Sequence, residues 1–457
     1  MIGIKGQGMT ALAGVLVMEG ARVTGSDTEE VFTTDAILKE LSIEVRAGFA
    51  PANIPEDTDL IVYSTAYSRE RNPELAAALD GKIPVVSYPE ALGMLSAEKM
   101  TLAVSGTHGK TTTTALLGDV LRVAGLDPTA IVGSQIGTWK GNALAGKGPH
   151  LVIEADEYQN KLRYYQPFGV VLTSVDWDHP DFFPTPADYE KVFADFVARI
   201  PRHGFLVACG DSAAVKKVGQ GTKAQTLFYG FLPDNDIRIV NFSPIPPDVE
   251  EGRRGFLQTF SLEMNGEKFG PFMLRLSGEH NAQNATAVFA VAQILKLPPE
   301  AVATAFQNFP GTKRRFERIG EKNGVVIYDD YAHHPDEIQV TLHAFRGLFP
   351  ARKIRVIFHP HTFTRTKALL QEFAQSFEDA SEVAILPIYG SAREEQGGVS
   401  SEELVALINR YTPGKATHAP SREKLIEEIR ATMKAGDVIV TMGAGDVWHI
   451  AEELVKK

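Results

Sequence analysis

"TLAVSGTHGKTTTTALLG", residues 101–118, decides how this chain is read. A short apolar run ends in Gly106 and Gly109, and a helical pattern then opens on a lysine and four threonines. That is a poor opening for a plain helix. It suits a glycine-containing strand-to-helix turn, whose backbone N–H groups and positive helix end make a nest for phosphate. The turn reads G-T-x-G-K-T-T over Gly106, Thr107, His108, Gly109, Lys110, Thr111 and Thr112. In such a turn the lysine reaches terminal phosphates and the first hydroxyl, Thr111, takes a place on Mg²⁺. The generic G-x-x-x-x-G-K-[ST] pattern would want glycine at position 104, where Val104 stands.

Outward from this turn, the chain alternates strands with helices, the pattern of parallel sheets with crossover helices. Residues 1–95 give strands at "MIGI", "ARVTGSD", "SIEVRAG", "TDLIVYS" and "IPVVSY", with helices at "MTALAGVLVMEG" and "TTDAILKELS". A second unit starts near Lys99 and runs through "HLVIEAD", "GVVLTSVDWDH", the helical "TPADYEKVFADFVARI" and "GFLVACGD". Residues 235–277 alternate in "GFLQTFSLEM" and "KFGPFMLRLS", which predicts an antiparallel patch. "NAQNATAVFAVAQILKL" and "PEAVATAFQNF" read as closing helices, and "PGTKRRFE" (310–317) as a linker. A third α/β unit follows, with strands in "GVVIYDD", "KIRVIFHP", "SEVAILPIY" and "DVIVTMGAGD".

With 457 residues, the chain is long enough for about three domains. Its 44% hydrophobic and 23% charged residues are those of a globular protein, and no apolar stretch approaches the ~20 residues of a membrane span. The N-terminal stretch lacks the basic leader and cleavage site of a signal peptide. One cysteine, Cys209, excludes an internal disulfide framework and reads as a buried structural thiol. These features predict a cytoplasmic protein. A net charge of −11 disfavours nucleic acid as a partner, so anionic ligands must be met by local cations and backbone N–H groups.

Other stretches carry chemistry. "VIEADEY" (152–158) ends a strand in Glu154, Asp156 and Glu157; beside a phosphate loop, Glu154 is placed to ligate Mg²⁺. "VDWDHPD" (175–181) offers His179 as a candidate for a second metal ion. In "GEHNAQNATA" (278–287), Asn281 and Asn284 share a helix face suited to an adenine edge. Arg314 and Arg315 can supply charge to a transferring phosphoryl group, with a solvated linker as the alternative. "YDDYAHHP" and "FHPHTFTRTK" gather Asp329, Asp330, His333, His334, His359, His361 and Arg365 at strand ends, where open α/β sheets bind ligands. The histidines lack the helical spacing of a zinc site.

A second glycine cluster, "GIKGQGM" (3–9), precedes a helix, and Asp27 follows about 20 residues on. Its order is G-x-x-G-x-G rather than G-x-G-x-x-G, so an NAD oxidoreductase is a rival reading that leaves the loop at 106–112 unexplained. A nucleotide-switch protein is another rival, but "NKLR" (160–163) lacks the aspartate of a base-reading N-K-x-D.

In order along the chain, "GIKGQGM", "GSD", "GTHGKTTT", "EADE", "DHPD", "GEHNAQN", "RRFE", "DDYAHHP", "PHTFTRT" and "GAGDVW" resemble the Mur ligases, ATP-dependent amide-forming enzymes of peptidoglycan precursor synthesis. The resemblance covers essentially the whole chain. It implies a Rossmann-like UDP-sugar domain (1–97), a central P-loop ATPase with a mostly parallel sheet (98–311) and a Rossmann-like C-terminal domain (312–457). It implies ATP and Mg²⁺ as cofactors, UDP-N-acetylmuramate and an amino acid as substrates, and a monomer or homodimer. Catalytic roles would fall to Lys110, Glu154, His179, Arg315 and His334, with Thr111, Glu154 and His179 on metal. Asn281 would meet the adenine, with Asp330 near the nucleotide. Gly6, Gly8, Met9, Ser26, Asp27, Ser64 and Thr65 would hold the UDP-sugar, and His361 and Arg365 would lie close to the amino acid. The subgroup it is most similar to adds L-alanine, whereas Tyr158 after "EADE" is closer to ligases that add a recycled tripeptide. Lys5 stands where that subgroup usually has glycine, and the first strand is cut short at Met1, which raises a start upstream of it. Phe193 stands where several relatives carry a modified lysine, implying an unmodified site.

Overall fold

The computed structural model describes residues 1–139, 141–245, 257–390, 394 and 396–456. Gly255 and Phe256, the start of one predicted alternating stretch, lie outside them. The chain divides into two compact units. The first comprises Met1–Val175, Lys191–Arg238 and Asn284–Pro310; the second comprises Asp176–Glu190, Ile239–Gln283 and Gly311–Lys457.

The first unit carries two parallel layers. Thr24–Asp27 pairs with Glu44–Ala47, and Ile61–Tyr63 with Val85–Ser87, each pair parallel. The predicted strand "MIGI" contracts to Ile2, which bridges Ser26 on one side and Tyr63 on the other. The glycine turn then leads into the helix Gln7–Met18. A helix the sequence reading passed over, Tyr88–Glu98, is fixed by a capping box between Ser87 and Glu90.

The larger sheet of this unit has the strand order Gln225–Gly230, Phe205–Cys209, Gly169–Leu172, Met100–Ser105, His150–Glu154, Thr129–Ile136, Gly141–Leu144. All neighbours are parallel except the last pair. The central strands are buried along almost their whole length, as the unbroken apolar runs require of a sheet covered on both faces. Met100–Ser105 lies between His150–Glu154 and Gly169–Leu172, so the loops leaving these three strands emerge at one edge. That edge carries the phosphate-loop sequence.

In the second unit, Leu257–Met264 and Glu267–Leu274 form the expected antiparallel hairpin, turning through Asn265 and Gly266 at positive φ. A six-stranded sheet has the order Glu317–Lys322, Val325–Asp330, Val438–Met442, Ile354–Phe358, Glu382–Ile385, Ala416–His418, parallel after its first pair. Its two faces bury separate apolar clusters, one around Phe345, Phe358 and Phe373, the other around Ile327, Ile439 and Ile450. These sheets make the α/β architecture, mostly parallel with antiparallel additions. Among the described residues, no helix is long and apolar enough to cross a membrane.

Candidate functional site

In the first unit, the glycine turn is built as its sequence demands. Gly106 has φ +133° and Gly109 +80°, and a side chain at either would collide with Thr173 Oγ1 or Asn284 Oδ1. Gly109 caps the helix Lys110–Val123, so the turn ends on a helix N-terminus. Ser174 fastens it, accepting from the Thr107 and His108 amides at 3.1 and 2.9 Å. Lys110 Nζ lies 2.5 Å from Gly106 O, 3.0 Å from Thr107 O and 2.9 Å from Glu157 Oε2. Burial would lower the pKa of Lys110, but Glu157 and Asp156 outweigh it and hold it above its ordinary value.

The hydroxyl of Thr111 donates to Glu154 Oε1 at 2.8 Å, and the Gly133 amide donates to Oε2 at 2.7 Å. A hydroxyl and a carboxylate oxygen thus converge at the start of the helix. Two oxygen donors of this kind fit a hard divalent cation. Thr112 is buried one position on. Asp156 accepts from the Lys161 ammonium at 2.5 Å. Phe193 is fully buried.

At the N-terminal glycine turn, Gly8 leaves no room for a side chain beside Tyr88, and Met9 is buried. Gly6 precedes the helix as its cap. Ser26 donates to Glu74 at 2.8 Å, while Ser64 and Thr65 follow the strand Ile61–Tyr63. Asp27 already accepts from the Lys5 amide at 2.7 Å and from the Tyr67 hydroxyl at 3.0 Å. The Lys5 ammonium reaches back to Thr28 O and Glu30 O, so it fastens the loop after Asp27.

In the second unit, Arg314 proves not to lie in a solvated linker. Its guanidinium binds Asp329 at 2.9 Å and the carbonyls of Gly443 and Gly445, stapling the ends of two neighbouring strands. Arg315 instead packs over Tyr331 and lies 3.4 Å from Glu337. Asp330 accepts from the Phe316 and Ala332 amides, and burial pushes its pKa up to about 6 against the pull of Arg315. His334 caps the helix Pro335–Leu348, with Glu337 completing a capping box. Asn281 donates to Ser277 O at 2.7 Å and lies 3.0 Å from the His280 ring.

His361 stacks on Tyr389 and meets the His333 ring edge-on. Burial, reinforced by His333 and Arg365, holds the pKa of His361 down to about 3, and burial holds His333 at about 4. Both rings are therefore neutral near pH 7. Arg365 is buried, and its Nε and Nη2 bind the two oxygens of Asp178 at 2.9 and 3.2 Å. Asp178 also accepts from the His179 amide at 2.6 Å, with His179 held at φ +55°. Burial would raise the pKa of Asp178, but Arg365 and His179 hold it well below the usual carboxylate range. The sequence reading left Asp178 unassigned; its one sequence signal was its place beside His179.

Comparison with known proteins settles the family. Models of the Mur ligase family catalytic domain, the Mur ligase middle domain and the Mur ligase glutamate ligase domain match residues 1–100, 104–292 and 314–445. A UDP-N-acetylmuramate–L-alanine ligase of Desulfitobacterium hafniense is 40% identical over 99% of this chain and 98% of its own. The chain belongs to the Mur ligase family. A relative of this Mur ligase with the same name, from Trichlorobacter lovleyi, is 36% identical over 100% of the chain and 98% of its own length. Among solved structures, the UDP-N-acetylmuramate–alanine ligase of Thermotoga maritima superposes with a TM-score of 0.82 at 25% identity, covering 99% of this chain and 97% of that one. A murein peptide ligase from Psychrobacter arcticus gives 0.73 at 25% identity over the same shares.

Proposed function

We propose that this Mur ligase joins L-alanine to the lactyl carboxylate of UDP-N-acetylmuramate at the expense of ATP, in peptidoglycan precursor synthesis. The observation that carries the reading is the full-length likeness to ligases of that name, at up to 40% identity. The reaction makes a carbon–nitrogen bond and leaves ADP and phosphate. The lactyl carboxylate attacks the γ-phosphorus of ATP, and ADP leaves. The amine then attacks the acyl carbon of the resulting acyl phosphate, loses a proton, and phosphate departs.

The residues support this sequence of steps. The turn from Gly106 to Thr112 receives the phosphates on its backbone and helix end. Lys110 exchanges its loop carbonyls and Glu157 for phosphate oxygens, and so neutralises charge as the bond to ADP breaks. Thr111 and Glu154 are the residues to hold Mg²⁺, with His179 a ligand for a second ion; when bound, Mg²⁺ supplies further neutralisation of phosphate charge. Arg315 and His334 act at the transferring group, and Asn281 and Asp330 at the nucleotide. Gly6, Gly8, Met9, Ser26, Asp27, Ser64 and Thr65 hold the UDP-sugar. His361 and Arg365 receive the amino acid, the guanidinium of Arg365 facing its carboxylate.

The same reading assigns domains at 1–97, 98–311 and 312–457, a cytoplasmic location and a monomer or homodimer. It is tested by phosphate release with UDP-N-acetylmuramate and ATP, adding L-alanine or L-alanyl-γ-D-glutamyl-diaminopimelate in turn. Release with L-alanine is expected. Release with the tripeptide alone overturns the choice of amine, and would be the outcome foreshadowed by Tyr158.

A further inference from the structure

We propose that Asp178 is the positioning residue of the amino-acid end of this site: it occupies one edge of the Arg365 guanidinium, presents the other edge to the incoming carboxylate, and ties that arginine to His179. The assignment rests on the ligase reading above.

Three observations carry it. The pairing is bidentate and buried, with Arg365 and Asp178 side chains only 5% and 7% exposed, although 187 residues separate them. A forked contact fixes the guanidinium plane as a single hydrogen bond does not. Among the described residues, the remaining nitrogen, Nη1, meets His361, with both contacts at 3.4 Å, long for hydrogen bonds. It is therefore the part of Arg365 best able to exchange its partners for a substrate carboxylate. The same Asp178 carboxylate accepts from the His179 amide at 2.6 Å and lies 3.7 Å from the His179 ring. One carboxylate thus sets the geometry of two family-implied site residues on separate segments.

Charge makes the same point. His361 and His333 are neutral, so Arg365 is the cation of this cluster, and Asp178 already balances it. Neutrality keeps a buried arginine tolerable before substrate arrives. It also means that the amino-acid carboxylate is recognised through Nη1 geometry rather than by a bare positive charge.

Asp178→Asn keeps the shape and removes the charge. Its expected effect is a rise of about tenfold or more in KM for the amine, the scale seen when one partner of a buried charge pair is lost. KM for the UDP-sugar should stay within about threefold. Arg365→Lys, which keeps charge but drops the fork, should give the same split. The double variant should be no worse than the poorer single one, because both remove one interaction. The amine used is whichever the wild-type enzyme accepts, so failure with L-alanine in wild type would count against the ligase reading and not this assignment. An unchanged amine KM in either folded variant overturns the proposal, and so do equal rises in both constants, the mark of a merely structural pair. If neither variant folds, the pair is a folding element and the assignment fails.

Discussion

The ammonium of Lys110 lies 2.9 Å from the carboxylate of Glu157, whose side chain is only 2% exposed. The same ammonium closes the glycine turn through two backbone carbonyls. The structure shows Lys110 holding the loop, the proposed function adds the task of meeting phosphate, and substitutions should separate the two. Lys110→Ala should lower phosphate release by about 10²–10³-fold, the cost of removing one preorganised charge at a reacting centre. It should also lower Tm, because Glu157 loses its ammonium in a buried site. Lys110→Ala with Glu157→Gln should recover much of the Tm and none of the turnover. Full turnover in the folded single variant would end the phosphate-loop assignment.

Glu157→Gln alone makes a different prediction. It leaves the lysine with its carbonyls but without its anion, so the ligand-free protein should melt earlier. A nucleotide triphosphate restores the missing negative charge. The rise in Tm on adding ATP should thus be larger in Glu157→Gln than in wild type, by the linkage of binding to stability. An equal or smaller rise would show that Glu157 does not compete with phosphate for Lys110.

How much of this was legible beforehand varied with range in sequence. The turn at 106–112 was legible because its chemistry is local: two glycines that must take positive φ, a lysine and a hydroxyl within seven residues. Parallel sheets were legible because both faces of each central strand are buried, which leaves unbroken apolar runs. The capping box Ser87–Glu90 is equally local, a serine and a glutamate three residues apart, but it directly follows a strand whose apolar run dominates the pattern. What could not be read was pairing across distance. Arg314 sits in a segment with the composition of a linker, yet its partners are Asp329 and carbonyls about 130 positions on. Asp178 looked like one acid among several beside a histidine, and only the fold brings Arg365 to it.

The histidines predict how stability depends on pH. His280 and His333 are held at about 4 and His361 at about 3, all lowered first by burial. In the unfolded chain each titrates near 6.5. Below that value the unfolded state takes up protons that the folded state refuses, so stability falls on acidification. The slope approaches about 1.4 kcal/mol per pH unit for each group, as an upper bound. Asp330, raised to about 6, acts in the opposite sense between pH 6 and its unfolded value near 3.8, offsetting one of the three. Tm should therefore drop steadily from pH 6.5 to pH 4, and the drop should be shallower in His361→Gln. A Tm independent of pH over that interval would contradict the burial of neutral rings.

The metal assignment predicts a graded series at Thr111. Thr111→Ser keeps the oxygen that meets Glu154, and phosphate release should stay within about threefold of wild type. Thr111→Val keeps the shape and loses the oxygen, and Glu154→Gln removes the carboxylate charge. Each should raise the Mg²⁺ concentration needed for half-maximal phosphate release by about tenfold or more. Chelation should stop the wild-type reaction, and added Mg²⁺ should restore it. Identical Mg²⁺ dependence across the series would remove Thr111 and Glu154 from the metal site.

Gly109 offers the most stringent check of the phosphate nest, because space and backbone both forbid a side chain there. Its φ of +80° is costly for an L-residue, and an added Cβ would stand 2.6 Å from Asn284 Oδ1. Gly109→Ala must relieve that contact either by moving the Asn284 amide or by turning the peptide that opens the helix Lys110–Val123. Either shift moves the backbone N–H groups at the start of the helix, and a nest works only while its N–H groups converge. The change adds one methyl group outside the strands, so the sheet beneath should remain intact. Binding of a non-hydrolysable ATP analogue should therefore weaken by about tenfold or more, with a fall in Tm of only a few degrees. The double variant Gly109→Ala with Asn284→Ala removes the clash and leaves the backbone strain. If it regains analogue binding, the clash with Asn284 was the cause; if it binds as weakly as Gly109→Ala, the strained turn itself was. Unweakened binding in the single variant would mean that phosphate is held elsewhere.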